Sequence, residues 1–417
     1  METDIWVYAD WVLDKSHPKT EPQLIGKLTA SVIRNKELFS FSYSADWLKS
    51  PYALQIDPEL HLFDGRQYSS DNNNFRIFLD SCPDRWGRLL MKRREAVLAT
   101  QEQRRPTLLM EVDYLLGVHD QHRMGGLRFK RNQDGPFLDD NDKLAAPPLS
   151  SLRELEYAVS QVEGDHSTDD PDYLKWLFML ISPGSSLGGA RPKASIIDEN
   201  QTLWIAKFPS LNDDYDVGGW EYVTYRLAKN AGIEMANCQL MKFKNKHHTF
   251  LTQRFDRHKN KRLHFSSAMT QLGYYDGDYE ASYLELAEFL TNHGAASKQD
   301  LEQLWRRIVF SIAVSNIDDH LRNHGFILAE NGWRLSPAYD INPVTPAKGL
   351  HLNINEMDNR LDFELALEVI DYFRVSPPRA QEIIEQVSQS VQNWRTEAKA
   401  IGLSRIEQDL MADAFQC

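Results

Sequence analysis

The spacing of hydrophobic and polar residues gives the chain a strand-rich beginning. The segments DIWVYADWVL (4–13) and LFSFSYSADWL (38–48) alternate apolar and polar positions, and short clusters of Gly, Pro, Asn and Asp separate them. Alternation with a period of two is typical of strands that bury one face. We therefore predict that residues 1 to about 75 are rich in strands.

Later segments change to the helical pattern. Helices are predicted in PDRWGRLLMKRREAVLATQEQR (83–104), SLRELEYAVSQVE (151–163), DPDYLKWLFML (170–180) and WEYVTYRLAKNAGI (220–233). Strands are predicted in 119–137, after a turn, and in TLWIAKFPS (202–210) and HTFLTQRFD (248–256). From about residue 280 the pattern is almost wholly helical. In the tail, residues at spacings of three and four predict one apolar helix face: Ile384, Val387, Val391, Trp394, Ala398 and Ile401.

Composition limits the class of protein. A chain of 417 residues is too long for one small core, so two or three structural units are expected. The formal net charge of −13 argues against a chain that binds nucleic acid by itself. The three cysteines form no CxxC pair, and neither an export signal nor an apolar run of membrane-spanning length is seen, so a cytoplasmic protein with no membrane contact is expected.

The late segment AVSNIDDHLRNHGFIL (313–328) carries the strongest chemical signal. Asp318 and Asn323 are five residues apart, and Asp340 follows a short strand-like run. In protein kinases one aspartate accepts the substrate's proton, an asparagine five residues later binds magnesium, and a later aspartate binds it too. A capped helix end and turn would also place acidic and amide residues here, so the spacing alone leaves both interpretations open.

Two earlier charges suit the same chemistry. Lys207 lies in an apolar strand and could reach nucleotide phosphates, while Glu221 on the following helix could hold it in an ion pair. The alternatives are an edge-strand lysine whose head reaches solvent and a plain charge at a helix start.

The stretch SPGSSLGGARPKASI (182–196) directly precedes that strand and is rich in glycine and serine. Glycines such as Gly188 and Gly189 let backbone N–H groups approach phosphate oxygens, and Arg191 and Lys193 add positive charge. The stretch lacks the GxxxxGK[ST] spacing, which argues against a P-loop nucleotidase.

Four motifs in order carry a resemblance to a known family. SLGGARPKA (186–194), TQRFDRH (252–258), NIDDHLRNHGF (316–326) and LSPAYDINP (335–343) resemble the HipA family of bacterial serine/threonine kinase toxins. FSYSADWL (41–48) and DSCPDRWGRLLMKRR (80–94) also resemble that family's N-terminal subdomain. The resemblance implies an α+β, protein-kinase-like fold with two lobes, a β-rich N-terminal subdomain and a mostly helical C-terminal lobe. The expected domains are 1–115, an ATP-binding lobe at 116–258 and a helical lobe at 259–417.

The same resemblance implies roles for single residues. Asp318 matches the catalytic base, and Asn323 and Asp340 match the magnesium ligands. ATP contacts are implied for Ser186, Gly188, Gly189, Lys193, Lys207, Gln253 and Phe255. Ser186 also matches the serine that the family autophosphorylates, although Ser185 is adjacent, and Gln253 stands where the family often has glutamate. Glu221 and His320 are assigned supporting roles, with His320 as a structural hydrogen-bonder.

The function implied is an ATP- and Mg²⁺-dependent serine/threonine protein kinase that is the toxin of a HipA/HipB-type toxin–antitoxin module. The implied partners are a HipB-like helix-turn-helix antitoxin, operator DNA reached mainly through it, and an aminoacyl-tRNA synthetase as protein substrate. Phosphorylation of the synthetase would arrest translation and cause persistence. Autophosphorylation would inhibit the kinase. Two alternatives remain: a catalytically weak corepressor within a toxin–antitoxin–DNA complex, and a kinase of small molecules.

Overall fold

The computed structural model describes residues 2–11, 21–34, 36–70, 73–142, 145–164, 172–180, 189–258, 261–278 and 280–416. It divides into two compact units. The first unit is Met1–Ala206 with Asp256–Ser266, and the second is Lys207–Phe255 with Ser267–Cys417. The three expected domains remain a prediction.

The described residues mix strands and helices, as the α+β prediction requires. The strands are β1 (Glu2–Ala9), β2 (Gln23–Ile33), β3 (Lys36–Tyr43), β4 (Gln67–Tyr68), β5 (Leu127–Lys130), β6 (Lys193–Ile197), β7 (Leu203–Lys207), β8 (Cys238–Met241), β9 (Thr249–Gln253), β10 (Arg257–His258), β11 (Lys261–Arg262), β12 (Phe265–Ser267), β13 (Gly325–Ala329) and β14 (Gly332–Leu335). The helices are α1 (Ala45–Leu48), α2 (Arg76–Leu79), α3 (Arg85–Gln101), α4 (Glu111–Leu116), α5 (Leu152–Glu163), α6 (Tyr173–Leu180), α7 (Val217–Asn230), α8 (Ala268–Gln271), α9 (Tyr283–His293), α10 (Ser297–Ala313), α11 (Phe363–Glu368), α12 (Pro377–Val391), α13 (Trp394–Ala400) and α14 (Arg405–Leu410).

An antiparallel sheet with the strand order β4-β3-β2-β1-β5 forms the core of the first unit. Alternate residues of β1, namely Ile5, Val7 and Ala9, are buried, as the period-two pattern predicts. Gly26 on β2 is required by close packing, because a Cβ there would lie 2.3 Å from the Ser42 carbonyl oxygen. The strand-rich beginning is therefore confirmed.

Local capping sets two helix starts in this unit. The Asp84 side chain accepts a hydrogen bond from the Gly87 backbone N–H and begins α3, in agreement with the sequence. The prediction for residues 45–48 was wrong. The Ser44 hydroxyl accepts from the Trp47 N–H, so this stretch turns into the short helix α1 where the strand pattern was expected to continue.

Helix α10 forms the centre of the second unit, with nearly all residues of its second half buried. Helices α9, α11 and α12 pack against it. The expectation of an almost wholly helical region after residue 280 was wrong for part of this segment. Strands β13 and β14 form an antiparallel hairpin, and residues 336–362 have irregular backbone with isolated bridges.

The tail forms two helices, not one. α12 ends at Val391, and α13 begins at Trp394 with Asn393 as its N-terminal flanking residue. Ile383, which the predicted face omitted, is buried, whereas Ile384 is only partly buried. In the part of the chain that the structure describes, no helix has the length and apolar character needed to cross a membrane.

Because His264 is buried in the first unit, we predict that the free energy of unfolding falls in acid. His264 is 1% exposed and stacks on Trp11, with ring centroids 4.2 Å apart. Burial lowers the pKa of His264 to about 3. Below about pH 6.5 the unfolded chain binds a proton at this residue that the folded chain does not, so stability is complete above that pH and falls as the pH drops.

We expect His264→Phe, which keeps an aromatic ring beside Trp11, to weaken this pH dependence. Between about pH 6.5 and pH 5 the wild-type protein should lose about 2 kcal/mol more unfolding free energy than the variant. Urea unfolding at several pH values measures the difference. Parallel pH profiles for the two proteins would contradict the assignment.

Candidate active site

A largely buried lysine, whose side chain is 11% exposed, binds two carboxylates in the second unit. Lys207 Nζ lies 2.6 Å from Glu221 Oε1 and 2.5 Å from Asp340 Oδ1. Burial alone would lower the pKa of Lys207, but the charges of Asp340 and Glu221 outweigh it and raise that pKa. The lysine is therefore a fixed cation at neutral pH, and its position in an apolar strand has a structural explanation.

Helix α7 positions Glu221 and one side of the loop that contains Asp340, here called the Asp340 loop. Its first turn is capped by Asp216, whose carboxylate accepts from the Gly219 N–H. One turn after Glu221, the Thr224 hydroxyl donates a 2.6 Å hydrogen bond to the carbonyl of Ile341. The same helix thus fixes both the carboxylate that binds Lys207 and the backbone next to Asp340.

Asp340 has a φ of +58°, in the left-handed region. Aspartate tolerates this conformation better than most residues do. Its Oδ1 also accepts a 3.2 Å hydrogen bond from the side-chain amide of Asn342. The loop geometry and these two donors fix the direction of the carboxylate.

Three hydrogen bonds join the Asp340 loop to the loop that contains Asp318 and Asn323. The Asn342 N–H donates to Asn316 Oδ1 at 3.2 Å, and the Val344 N–H donates to the Ser315 carbonyl at 3.3 Å. The Tyr339 hydroxyl donates to the carbonyl of Arg322 at 2.9 Å. The two segments that the sequence singled out for chemistry are therefore adjacent in the fold.

In the side-chain amide of Asn323 the nitrogen forms a hydrogen bond, whereas the oxygen forms none with the described residues. Its Nδ2 donates to the Asp318 carbonyl at 2.9 Å, whereas its Oδ1 is buried and has no hydrogen-bond partner among the described residues. The Oδ1 of Asn342 is in the same condition within the described part of the chain. Buried oxygens without a donor are costly unless something else binds them, and amide and carboxylate oxygens suit Mg²⁺.

The chemistry of this donor set fits a magnesium ion bound together with phosphate. Across the described ranges, no group of three or more His, Cys, Asp or Glu side chains is arranged to hold a metal. Mg²⁺ commonly takes one or two protein carboxylates and completes its shell with water and substrate phosphates. Asp340 and Asn323 would supply the protein's share.

The neighbouring aspartates Asp318 and Asp319 have different environments. Asp318 is exposed. Asp319 is buried, lies 3.0 Å from His324 Nε2 and accepts a hydrogen bond from the Tyr283 hydroxyl. Burial would raise the pKa of Asp319, but His324 and Tyr283 lower it further than burial raises it. Asp319 supports the loop, while Asp318 is open to solvent.

His320 is part of the loop that contains Asp318 and Asn323. Burial lowers the pKa of its imidazole, against the opposing effect of the Asp318 and Asp340 carboxylates. Its backbone N–H donates to the Asp318 carbonyl, and its carbonyl accepts from the Asn323 N–H. Its Nδ1 is buried without a hydrogen-bond partner in the described ranges.

Two of the predicted ATP contacts, Gln253 and Phe255, lie at and just after the end of β9. The backbone N–H of Gln253 donates to the Asn237 carbonyl, and its Oε1 accepts from the Asn237 side chain at 2.9 Å. Phe255 stacks on Tyr339, directly before Asp340, with ring centroids 5.5 Å apart. This stack joins the segment after β9 to the loop that contains Asp340.

The remaining predicted ATP contacts lie outside the described residues or in the first unit. Ser186, with Ser185, and Gly188 lie outside the described residues. Gly189 and Lys193 belong to the first unit, where Lys193 Nζ is 2.8 Å from Asp84 Oδ2 and both side chains are 2% exposed. This buried pair braces the start of β6, and a phosphate contact for Lys193 stays a prediction.

Sequence reasoning missed several residues that build the site: Asn316, Asn342, Thr224 and the Asp319–Tyr283–His324 group. Asn342 lies two positions after Asp340, so the amide that closely follows the aspartate in DINP was the available signal. Asn316, Asp319 and His324 lie inside the motif NIDDHLRNHGF, but their spacing did not indicate their contacts. Thr224 and Tyr283 come from distant segments and gave no local signal.

Comparisons with known proteins agree with the motifs. The family model described as "HipA-like C-terminal domain" matches residues 185–394. A Haemophilus influenzae protein named "Putative kinase" is 28% identical over 235 residues, which cover 50% of this chain and 66% of that protein, slightly under two thirds of its length.

One solved structure supports the fold, and a second gives a weaker match. A chain from the complex of HipA, HipB and operator DNA of Shewanella oneidensis MR-1 aligns with a TM-score of 0.62 and 18% identity, over 94% of this chain and 92% of that one. A Helicobacter pylori proinflammatory kinase, CtkA, aligns with a TM-score of 0.34 and 15% identity, over 51% of this chain and 95% of that one.

The fold is thus of the α+β, HipA-like type. The family match spans half of the sequence and includes the whole cluster around Lys207 and Asp340. The chain belongs to the HipA-like C-terminal domain family.

Proposed function

We propose that this chain is an ATP- and Mg²⁺-dependent protein kinase that phosphorylates serine or threonine. The observation that carries the proposal is the ion pairing of Lys207 with both Glu221 and Asp340. The loop that contains Asp340 is hydrogen-bonded to the loop that contains Asp318 and Asn323. Kinases need a lysine–glutamate ion pair, a metal-binding aspartate, and an aspartate and asparagine in one loop. The name of the Haemophilus influenzae relative supports the same activity.

Each residue then has a chemical role. The substrate hydroxyl donates its proton to the Asp318 carboxylate as its oxygen bonds to the γ-phosphorus, and the bond from that phosphorus to the leaving ADP oxygen breaks. Lys207 orients the nucleotide phosphates. Mg²⁺ held by Asn323 and Asp340 would offset the phosphate charge.

The module in which the kinase works is part of the same proposal. The solved Shewanella oneidensis structure is a toxin–antitoxin complex with operator DNA, and it supports a HipB-like antitoxin and operator DNA as partners of this chain. The net charge of −13 favours DNA contact mainly through the antitoxin. An aminoacyl-tRNA synthetase is the proposed substrate, with arrested translation as the result. Autophosphorylation of Ser186 would add about 1.5 to 2 negative charges to the loop and repel ATP.

Incubation of the purified chain with radiolabelled ATP and no other substrate tests the proposal. We expect labelled protein, with the label in the peptide that contains Ser185 and Ser186. Ser186→Ala and Ser185→Ala variants identify the modified serine. Absence of label in the chain and in any added protein substrate would contradict kinase activity.

A second test addresses the metal. We expect Asp340→Asn to weaken Mg²⁺-dependent ATP binding by at least about tenfold, because the amide cannot neutralise the cation. Calorimetric titration of ATP with Mg²⁺ and with EDTA measures the effect. The variant's affinity in EDTA should be close to that of the wild type, and an equal loss in both conditions would argue for a nucleotide contact without a metal.

A further inference from the structure

A cavity of about 260 Å³ lies in the second unit beside the proposed catalytic loop. His320 and Leu321, which closely follow Asp318, form one wall. Tyr274 and Asp278 contribute from the segment after α8, and Leu352 lines another side. A group bound in this cavity would lie next to the carboxylate that is proposed to receive the substrate's proton.

Backbone hydrogen bonds connect the distant segments that line the cavity. The Asn353 N–H donates to the Ala281 carbonyl at 3.0 Å, and the Tyr283 N–H donates to the Asn353 carbonyl at 2.9 Å. The Leu350 N–H donates to the Asn359 carbonyl at 2.8 Å. The cavity is therefore preformed and does not depend on side-chain positions alone.

The volume limits the occupant. Pockets for whole small-molecule ligands or cofactors usually measure about 300 to 1,000 Å³. This cavity is below that range, but it has room for a long side chain of a bound polypeptide.

The lining determines the charge of that side chain. The interior has apolar walls, including Met269, Leu350 and Leu352, which suit a methylene stem. Asp278 and Glu280 line the cavity and are exposed, and neither has a Lys or Arg ion-pair partner among the described residues. A lysine or arginine would place its stem on the walls and its cationic head at these carboxylates.

We propose that this cavity binds a lysine or arginine side chain of the protein substrate, close in sequence to the serine or threonine that is phosphorylated. The inference rests on the proposed kinase function and adds the substrate class: a polypeptide with a basic residue near the acceptor. The cavity is a recognition pocket, and Asp278 and Glu280 are its specificity-determining residues.

Peptide binding tests the pocket separately from catalysis. Fluorescein-labelled heptapeptides would carry a central serine and alanines, with a single arginine or a single glutamate at each other position in turn. Anisotropy is measured with the full chain and a non-hydrolysable ATP analogue. We expect arginine at one or two positions to tighten binding at least about fivefold over glutamate at the same position.

Variants then assign the preference to the pocket. Asp278→Asn/Glu280→Gln should remove the arginine preference, and Glu280→Lys should shift it toward glutamate. Glu288→Gln, at an exposed position on α9, is the matched control and should keep it. No preference in the wild type, or a preference that survives the double variant, overturns the inference.

Phosphorylation assays with radiolabelled ATP distinguish failure of the pocket inference from failure of the proposed kinase function. A chain that labels itself or a protein but shows no arginine preference disproves the pocket and leaves the kinase assignment intact. A chain that labels neither, with no arginine preference, disproves both.

Discussion

Asp318→Asn is expected to reduce turnover by about 10²- to 10⁴-fold while ATP binding stays within a few-fold of the wild type. The substitution removes the proton acceptor and keeps the shape of the side chain, and general-base catalysis contributes an effect of this size. Asp318 is exposed and its carboxylate takes no hydrogen bond among the described residues, so unfolding free energy should change by less than about 0.5 kcal/mol. Single-turnover phosphorylation and ATP titration provide the two measurements.

Substitution of the adjacent Asp319 should affect stability, in contrast to substitution of Asp318. Asp319 is buried against Tyr283 and His324, so Asp319→Asn should lower the unfolding free energy by about 2 to 5 kcal/mol. Its activity should fall because the loop is less stable, and should partly recover at lower temperature. Asp318→Asn should not recover. If Asp318→Asn keeps wild-type turnover, the base has been assigned to the wrong residue.

The sequence predicted those parts of the fold that local patterns determine. Alternation in residues 4–9 matched the buried face of β1, and Asp84 marked the start of α3. The break between α12 and α13 was not predictable in this way. Val391 and Trp394 are three residues apart, so the apolar spacing continues across the break although the helix does not.

The site was predictable to the extent that its signals are short in sequence. The five-residue step from Asp318 to Asn323 and the isolated Lys207 could be identified directly. The ion pair between Lys207 and Asp340 joins residues 133 positions apart, and no spacing rule indicates such a contact. Asn316 and Asn342 were missed because amides occur in most loops, and only the fold brings these two together.

Lys207→Met should affect both stability and catalysis. Removal of the ammonium leaves the buried Glu221, which is 5% exposed, facing Asp340 without a cation. Loss of one partner of a buried ion pair costs about 3 to 5 kcal/mol. Turnover should fall by at least about 100-fold, because the nucleotide phosphates lose their fixed cation. Lys246→Met, at an exposed position, is the matched control and should change neither quantity.

A double variant separates the two effects. Lys207→Met/Glu221→Gln removes one of the two stranded carboxylate charges, so much of the lost unfolding free energy should return while turnover stays low. The non-additivity of the stability effects measures the coupling of the pair. Denaturant unfolding measures the stability of each variant, and phosphorylation of one protein substrate by all variants measures turnover. Recovery of turnover together with stability would mean that Lys207 acts only in folding, and the kinase interpretation of the cluster would then fail at its central residue.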